Sequence, residues 1–281
     1  RKDYLFEIIN KENITFFGVS AKYLDTLKQN KINIKKSYHL HSLRTITSTG
    51  SPLVHETFKY VYKYIKKNVH LASISGGTDL VSCFVLGNPN LPVHIGEIQC
   101  KGLGMDVAIL DDNGNSIKRK KGELVCLSPF PSKPIFFWKD SNNSKLKKAY
   151  FSKYKNIWNH GDFAEITVNE GIIIYGRSDA TLNPGGIRMG TAELYRIVES
   201  IKDIVECIAV EQKHNNDNRV VLFLKLIDGK KLNDKLVDLI KNKIKILLSP
   251  KHVPSKFLQV SDIPKTKNGK IVEITIKKIL N

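Results

Sequence analysis

Two short runs hold residues whose types and spacing suit chemistry on an anionic ligand. Ser73-Ile74-Ser75-Gly76-Gly77-Thr78-Asp79 sets a hydroxyl beside a carboxylate after two glycines, and Trp158-Asn159-His160-Gly161-Asp162 ends on a second carboxylate. A carboxylate presents two acceptor oxygens to hydroxyl donors, and hard cations such as Mg2+ favour carboxylate and phosphate oxygens. Arg177 and Arg188 contribute guanidinium groups within Gly176-Arg177-Ser178-Asp179 and Ile187-Arg188-Met189. Further on, Pro264-Lys265-Thr266-Lys267-Asn268-Gly269-Lys270 places an ammonium directly after an Asn-Gly turn. Each feature taken singly has a plainer reading. Asp79 would cap a helix, Asp162 would cap a turn, Gly76 would supply a positive φ, either arginine would anchor a junction by an ion pair, and Lys270 would be solvated. His39 and His41 lack an accompanying Cys or carboxylate cluster and read as a surface pair, not a metal site.

The elements that must position these groups follow from hydrophobic period and turn chemistry. Ile14 to Val19 is β-rich and Ala21 to Lys28 is helical in pattern. Leu43 to Thr47 reads as a strand followed by Ser48-Thr49-Gly50, with Ser51 expected to cap a helix and Pro52 to occupy its first turn. Val54, Phe58, Val61 and Ile65 recur at helical spacing, and Val69 to Ser73 supplies another strand. Strand, helix, strand predicts a parallel crossover, whose ligands collect beyond the carboxyl ends of the strands. Thr49-Gly50-Ser51 and Gly77-Thr78-Asp79 would both lie there.

From Gly96 to Val168 short strands and turn signals predict a small barrel or hairpin layer, closing with a hairpin of Phe163 to Val168 against Ile172 to Tyr175. Beyond it, helices around Leu194 to Ile201 and Leu232 to Leu247, strands Ile204 to Val210 and Val220 to Leu226, and a last strand after Val253-Pro254 make a second α+β unit. There is no internal repeat.

Composition narrows the partners. The 281 residues carry a formal charge of +18, yet only seven of the 45 basic residues are arginine, the side chain that grips phosphates and reads bases with two prongs. The lysines are spread along the chain, so nucleic acid is not expected as a partner. No stretch of about 18 apolar residues exists, so no membrane span is expected. Cys83, Cys100, Cys126 and Cys207 form no CxxC pair and sit in apolar runs, as buried reduced thiols would.

In order, and about 80 residues apart, the segments Gly176 to Asp179 with Asn183 to Glu193 and Pro264 to Lys270 resemble the hinge and lysine motifs of the adenylate-forming acyl-CoA synthetases. Ser73 to Asp79, Leu91-Pro92-Val93 with Gly96 to Gln99, Lys148 to Lys153, and Lys251 to Ser255 look like the acetoacetyl-CoA synthetase family within that group. The resemblance covers essentially the whole chain and implies an α/β fold. Residues 1–178 would be the carboxy-terminal part of a large domain, with a parallel sheet and a small β-barrel layer, and 179–281 a mobile, hinged α+β lysine domain.

The same resemblance implies ATP, CoA and acetoacetate as small-molecule substrates, Mg2+ as the metal, an acyl-adenylate intermediate and a cytosolic setting feeding lipid synthesis. It assigns Lys270 to adenylation, and Asp162 and Arg177 to the ribose. Arg188 and Thr78 go to nucleotide phosphate, with Asp79 assisting Mg2+ beside Gly77. Gly50, Ser51 and Pro52 would line the adenine side. Gly76 would open the acyl pocket where related acetyl-CoA synthetases carry Trp, Gly185 and Gly186 would wall the CoA channel, and Asp179 would be the hinge. The opening on Arg1 and the lack of a Ser/Thr/Gly-rich phosphate loop suggest a cut-away start and little activity for the chain alone. A related short-chain acyl-CoA synthetase and an inactive binding remnant stay open as alternatives.

Overall fold

The computed structural model describes all residues except 184–187, 215–216 and 267–270. The chain divides into two compact units, Arg1–Ile174 and Tyr175–Asn281.

The first unit opens with α1 (Tyr4–Lys11), β1 (Phe16–Ser20), α2 (Ala21–Gln29) and α3 (Ile34–Ser37), followed by β2 (Thr45–Thr49), α4 (His55–Tyr60) and β3 (His70–Ser73). Ser20 starts α2 by accepting from the Tyr23 backbone N–H at 3.2 Å, and Leu24 and Leu27, three apart, bury one face. β1, β2 and β3 pair in parallel in that order, as the crossover pattern predicts. Phe6, Ile9, Leu24, Leu27, Ile46, Phe58 and Leu71 fill the core beside this sheet, each side chain contributing about 1.5–3 kcal/mol on burial.

The helix between β2 and β3 corrects one expectation. It starts at His55 with Val54 as its cap, and no side chain caps it. Ser51 and Pro52 therefore lie in the connection after β2. The predicted apolar face is kept, because Val61 and Ile65 continue it in a π-helical turn over Val61–Ile65 and are both buried.

The expected layer of short strands is built as two antiparallel sheets. β4 (Ser75–Gly77), β5 (Ser82–Leu86) and β6 (Cys100–Lys101) form one. β7 (Val107–Leu110), β8 (Gly122–Cys126), β9 (Trp158–Ile166) and β10 (Ile172–Arg177) form the other in the order β10-β9-β8-β7, with α5 (Ser144–Tyr150) inserted before β9. β8 is a central strand and every residue in it is buried. β9 begins at Trp158, well before the predicted Phe163, so the Trp158 to Asp162 run is strand and not turn.

In the second unit, α6 (Thr191–Val198), β11 (Ile204–His214), β12 (Asp217–Leu226), α7 (Asp234–Leu247), β13 (Lys256–Gln259) and α8 (Glu273–Leu280) follow in order. β12 lies between β11, antiparallel, and β13, parallel. The Asn233 side chain caps α7 by accepting from Leu236 N–H at 2.9 Å. Leu236, Ile240 and Ile244 then face Leu194, Ile197, Leu222 and Leu224 in the core.

The thiols are all free, but only Cys126 and Cys207 are buried; Cys83 and Cys100 are intermediate, correcting the expectation of four buried thiols. Among the described residues no helix is long and apolar enough to cross a membrane.

Candidate functional site

In the first unit the two carboxylate-bearing runs, far apart in sequence, meet. β3 ends at Ser73, and after Ile74 the chain re-enters extended structure as β4, which pairs antiparallel with β5 through a turn at Thr78 to Val81. No helix follows Asp79, so it is not a helix cap. β9 runs alongside. Ser75 Oγ donates to Asp162 Oδ2 at 3.3 Å, and His160 Nε2 lies 3.1 Å from the Gly76 carbonyl oxygen and 3.7 Å from Asp162 Oδ2. Asp162 is 7% exposed and sits within a strand, which removes the turn-cap reading. Gly161, with φ +79°, takes the left-handed conformation that a side chain disfavours and re-aims the strand between His160 and Asp162.

Thr78 and Asp79 stand at the exposed end of this cluster. The Tyr150 hydroxyl donates to Asp79 Oδ2 at 2.5 Å, and the Tyr150 ring stacks on Trp158 with centroids 3.7 Å apart. One carboxylate is a modest protein contribution, yet it fits Mg2+, which commonly binds one or two carboxylates together with substrate phosphates and water. Among the described residues no group of three or more metal-type side chains converges. His39 and His41 stack with centroids 5.8 Å apart, as a pair only.

Gly76 is glycine for a reason other than backbone sign: it is absent from the positive-φ glycines. A Cβ there would fall 2.0 Å from the Ser82 carbonyl oxygen and 2.7 Å from Cys83 Cα. The close approach of β5 therefore excludes any side chain at this position, independently of an acyl pocket. Gly77 completes β4, and Gly50, Ser51 and Pro52 are exposed in the connection that leaves the carboxyl end of β2.

In the second unit, Arg177 Nε lies 3.5 Å from Asp179 Oδ1, both about half exposed. Asp179 occupies a 3-10 turn over Ser178–Ala180. Arg188 folds over the same turn, donating from Nε to Thr181 Oγ1 at 3.2 Å and from Nη2 to the Ser178 carbonyl at 3.5 Å. Gly185, Gly186 and Lys270 lie outside the described residues. The flanks of the lysine run are described: Lys265 and Ile271 form an antiparallel bridge, and Lys265 Nζ pairs with the buried Glu206 carboxylate at 2.5 Å.

Sequence reasoning passed over Glu273 at the start of α8. Its Oε1 accepts from Thr191 Oγ1 at 3.0 Å and from the Tyr195 hydroxyl at 2.9 Å. Burial pushes the Glu273 carboxyl above its ordinary value against the pull of these two donors, and Asp179 adds to the rise while Arg177 opposes it. Tyr150, Trp158 and His160 were legible only as parts of motifs, because nothing in their spacing announces a stacked pair or a relay.

No protein-family model matches the chain. The acetoacetyl-coenzyme A synthetase of Rhizobium meliloti (strain 1021) is 50% identical over 277 residues, which are 99% of this chain and 43% of that protein. The Gallus gallus acetoacetyl-CoA synthetase is 44% identical over 278 residues, 98% of this chain and 42% of its own. Among solved structures, acetoacetyl-CoA synthetase from Streptomyces lividans superposes with a TM-score of 0.92 at 36% identity, covering 99% of this chain and 43% of that one. The anthranilate CoA ligase AuaEII, solved with anthranoyl-AMP, superposes at a TM-score of 0.82 and 18% identity over 100% of this chain and 52% of its own, a likeness of fold alone. The chain thus spans less than half the length of the curated relatives it matches. Over nearly all of its own length it is similar to acetoacetyl-CoA synthetases, and its sheets and helices match a carboxy-terminal portion of the adenylate-forming ligase fold.

Proposed function

We propose that the chain, resembling the carboxy-terminal portion of acetoacetyl-CoA synthetases, supplies the adenosine side and the lysine domain of an acetoacetate–CoA ligase. The observation that carries this reading is the Ser75–Asp162 hydrogen bond at 3.3 Å, which brings together two runs 87 residues apart. It gathers a carboxylate, a hydroxyl at Thr78 and a second carboxylate at Asp79 beside one sheet edge. The names of the relatives support acetoacetate as the acid.

The overall conversion is ATP, acetoacetate and CoA to acetoacetyl-CoA, AMP and diphosphate. In the first half an acetoacetate carboxylate oxygen attacks the α-phosphorus, and the bond to diphosphate breaks. Asp162 would accept from both ribose hydroxyls through its two oxygens, with Arg177 as a second ribose contact, and Gly50, Ser51 and Pro52 beside the adenine. Thr78 would donate to the α-phosphate, and Arg188 would approach it. Lys270 would present its ammonium where negative charge spreads over carboxylate and phosphate oxygens. Mg2+, when bound through phosphate oxygens and Asp79, would neutralise phosphate charge. In the second half the CoA thiol attacks the acyl carbon and AMP leaves. The lysine domain would turn about Asp179, a change that needs only a few dihedral angles, with Gly185 and Gly186 beside the pantetheine arm.

The test joins this chain to the part of the Rhizobium meliloti relative that it does not cover and measures exchange of labelled diphosphate into ATP. Exchange should depend on acetoacetate more than on acetate, and Lys270→Ala should abolish most of it. Faster exchange with acetate would remove acetoacetate as the acid. Undiminished exchange in Lys270→Ala would remove the lysine from its role.

A further inference from the structure

Three side chains hold β4 and the turn after it. Ser75 donates to Asp162, His160 meets the Gly76 carbonyl at 3.1 Å, and Tyr150 donates to Asp79 at 2.5 Å. The last two contacts share one support. Trp158, 2% exposed, lies flat against Tyr150, with centroids 3.7 Å apart and planes 13° apart, and points its indole N–H at His160 Nδ1, 3.5 Å away.

Because an indole N–H only donates, His160 Nδ1 accepts and the ring proton sits on Nε2. Nε2–H then donates to the Gly76 carbonyl. Phe84 closes one side of the imidazole, edge to face with centroids 4.9 Å apart. The buried indole therefore sets both the ring plane of Tyr150 and the tautomer of His160. Through them it fixes the segment from Gly76 to Asp79 at both ends. The proposed reaction asks neither Tyr150 nor His160 to touch a substrate.

We infer that Tyr150 and His160, braced on Trp158, are positioning residues that hold the Gly76–Asp79 segment in its adenylate-binding conformation. This deepens the nucleotide reading above and rests on it for its consequence. His160 fixes the strand by its backbone. Tyr150 engages Oδ2 of Asp79 and so orients the carboxylate that would hold a phosphate-bound cation. Holding a ligand group by an outer partner is a general means of tuning cation affinity, and loss of such a partner weakens binding by about 10–100-fold.

The variants are chosen to spare the core. Tyr150→Phe keeps the stack on Trp158 and removes only the hydroxyl. His160→Gln keeps an N–H donor at the reach of Nε2, whereas His160→Leu removes it. Hydrogen exchange of peptides spanning Ser75 to Leu80, measured on the ligand-free chain with second-unit peptides as internal control, should speed by about tenfold in Tyr150→Phe and His160→Leu and return toward wild type in His160→Gln. Exchange unchanged in both damaging variants would overturn the inference.

Calorimetric titration supplies the second readout. Tyr150→Phe should weaken binding of Mg·ATP by about tenfold and leave Mg-free ATP nearly unchanged. Equal weakening of both, or of neither, would overturn the role of Tyr150 toward Asp79. Wild-type chain that binds no adenine nucleotide would sink the nucleotide reading instead, and the exchange measurement would still decide the positioning claim.

Discussion

Lys265 Nζ lies 2.5 Å from Glu206 Oε2, an ion pair between the run that leads to Lys270 and β11, an edge strand of the second unit's sheet. Glu206 is 5% exposed at its side chain and Lys265 27%. With the Lys265–Ile271 bridge, this pair anchors both ends of the segment that carries Lys270. It also gives Lys265 a structural task distinct from the adenylation role proposed for Lys270.

Lys265→Ala should therefore destabilise the second unit by about 1–3 kcal/mol, because it strips the ammonium from a buried carboxylate. Chemical denaturation followed through second-unit probes checks this. Glu206→Gln added to Lys265→Ala should recover part of the loss, and a purely additive pair would show that the two side chains are not coupled.

Glu273 predicts a pH dependence. Its carboxyl is raised in the folded chain, so the folded state binds this proton more tightly than the unfolded state, whose glutamate titrates near about 4.3. The associated stability is fully present below that unfolded value and is lost as pH rises through the folded one. Glu273→Gln retains an acceptor for Thr191 and Tyr195 but carries no charge. It should unfold at a higher temperature than wild type near neutral pH, with the difference closing as pH falls below about 4. Melting curves across that range provide the check, and a difference that widens toward acid would contradict the assignment.

Gly76→Ala should cost about 1–3 kcal/mol of first-unit stability, because the added Cβ would overlap the β5 backbone. Denaturation of the variant measures it. Substitution by Trp would force β4 from β5 before it reshaped any acyl site, so a substrate change in Gly76→Trp would report hairpin opening. Unaltered stability in Gly76→Ala would leave the acyl-pocket reading as the sole account of the glycine.

Much of this architecture was legible in the residues. The parallel crossover followed from apolar runs at two periods, and α7 followed from Leu232, Leu236, Leu239, Ile240, Ile244 and Leu247 with Ser249-Pro250 as its stop, although it starts two residues later, at Asp234 behind an Asn233 cap. α1 and α8 were not read, since each spans only eight residues and α8 follows a lysine-rich run that masks its apolar spacing. The start of α4 was misplaced because Ser51-Pro52 is equally good turn chemistry, and only packing against the first-unit core decides for His55. Asp162 was found from its motif, but its place inside a strand depends on pairing with β8, a long-range contact that no local pattern encodes. Tyr150, His160 and Trp158 became a connected group only once the strands were in register. Gly76 was noticed for the side chain it lacks; the reason it lacks one is the backbone of Ser82 and Cys83.

The most direct measurement is a titration of the chain with AMP, followed by the fluorescence of Trp158, which is buried in the strand that carries Asp162, in a Trp138→Phe background. The account predicts saturable quenching that weakens by about tenfold or more in Asp162→Ala, the loss expected when a charged acceptor of two hydroxyl donors is removed. Equal affinity in wild type and Asp162→Ala, or no saturable response in wild type, would contradict it.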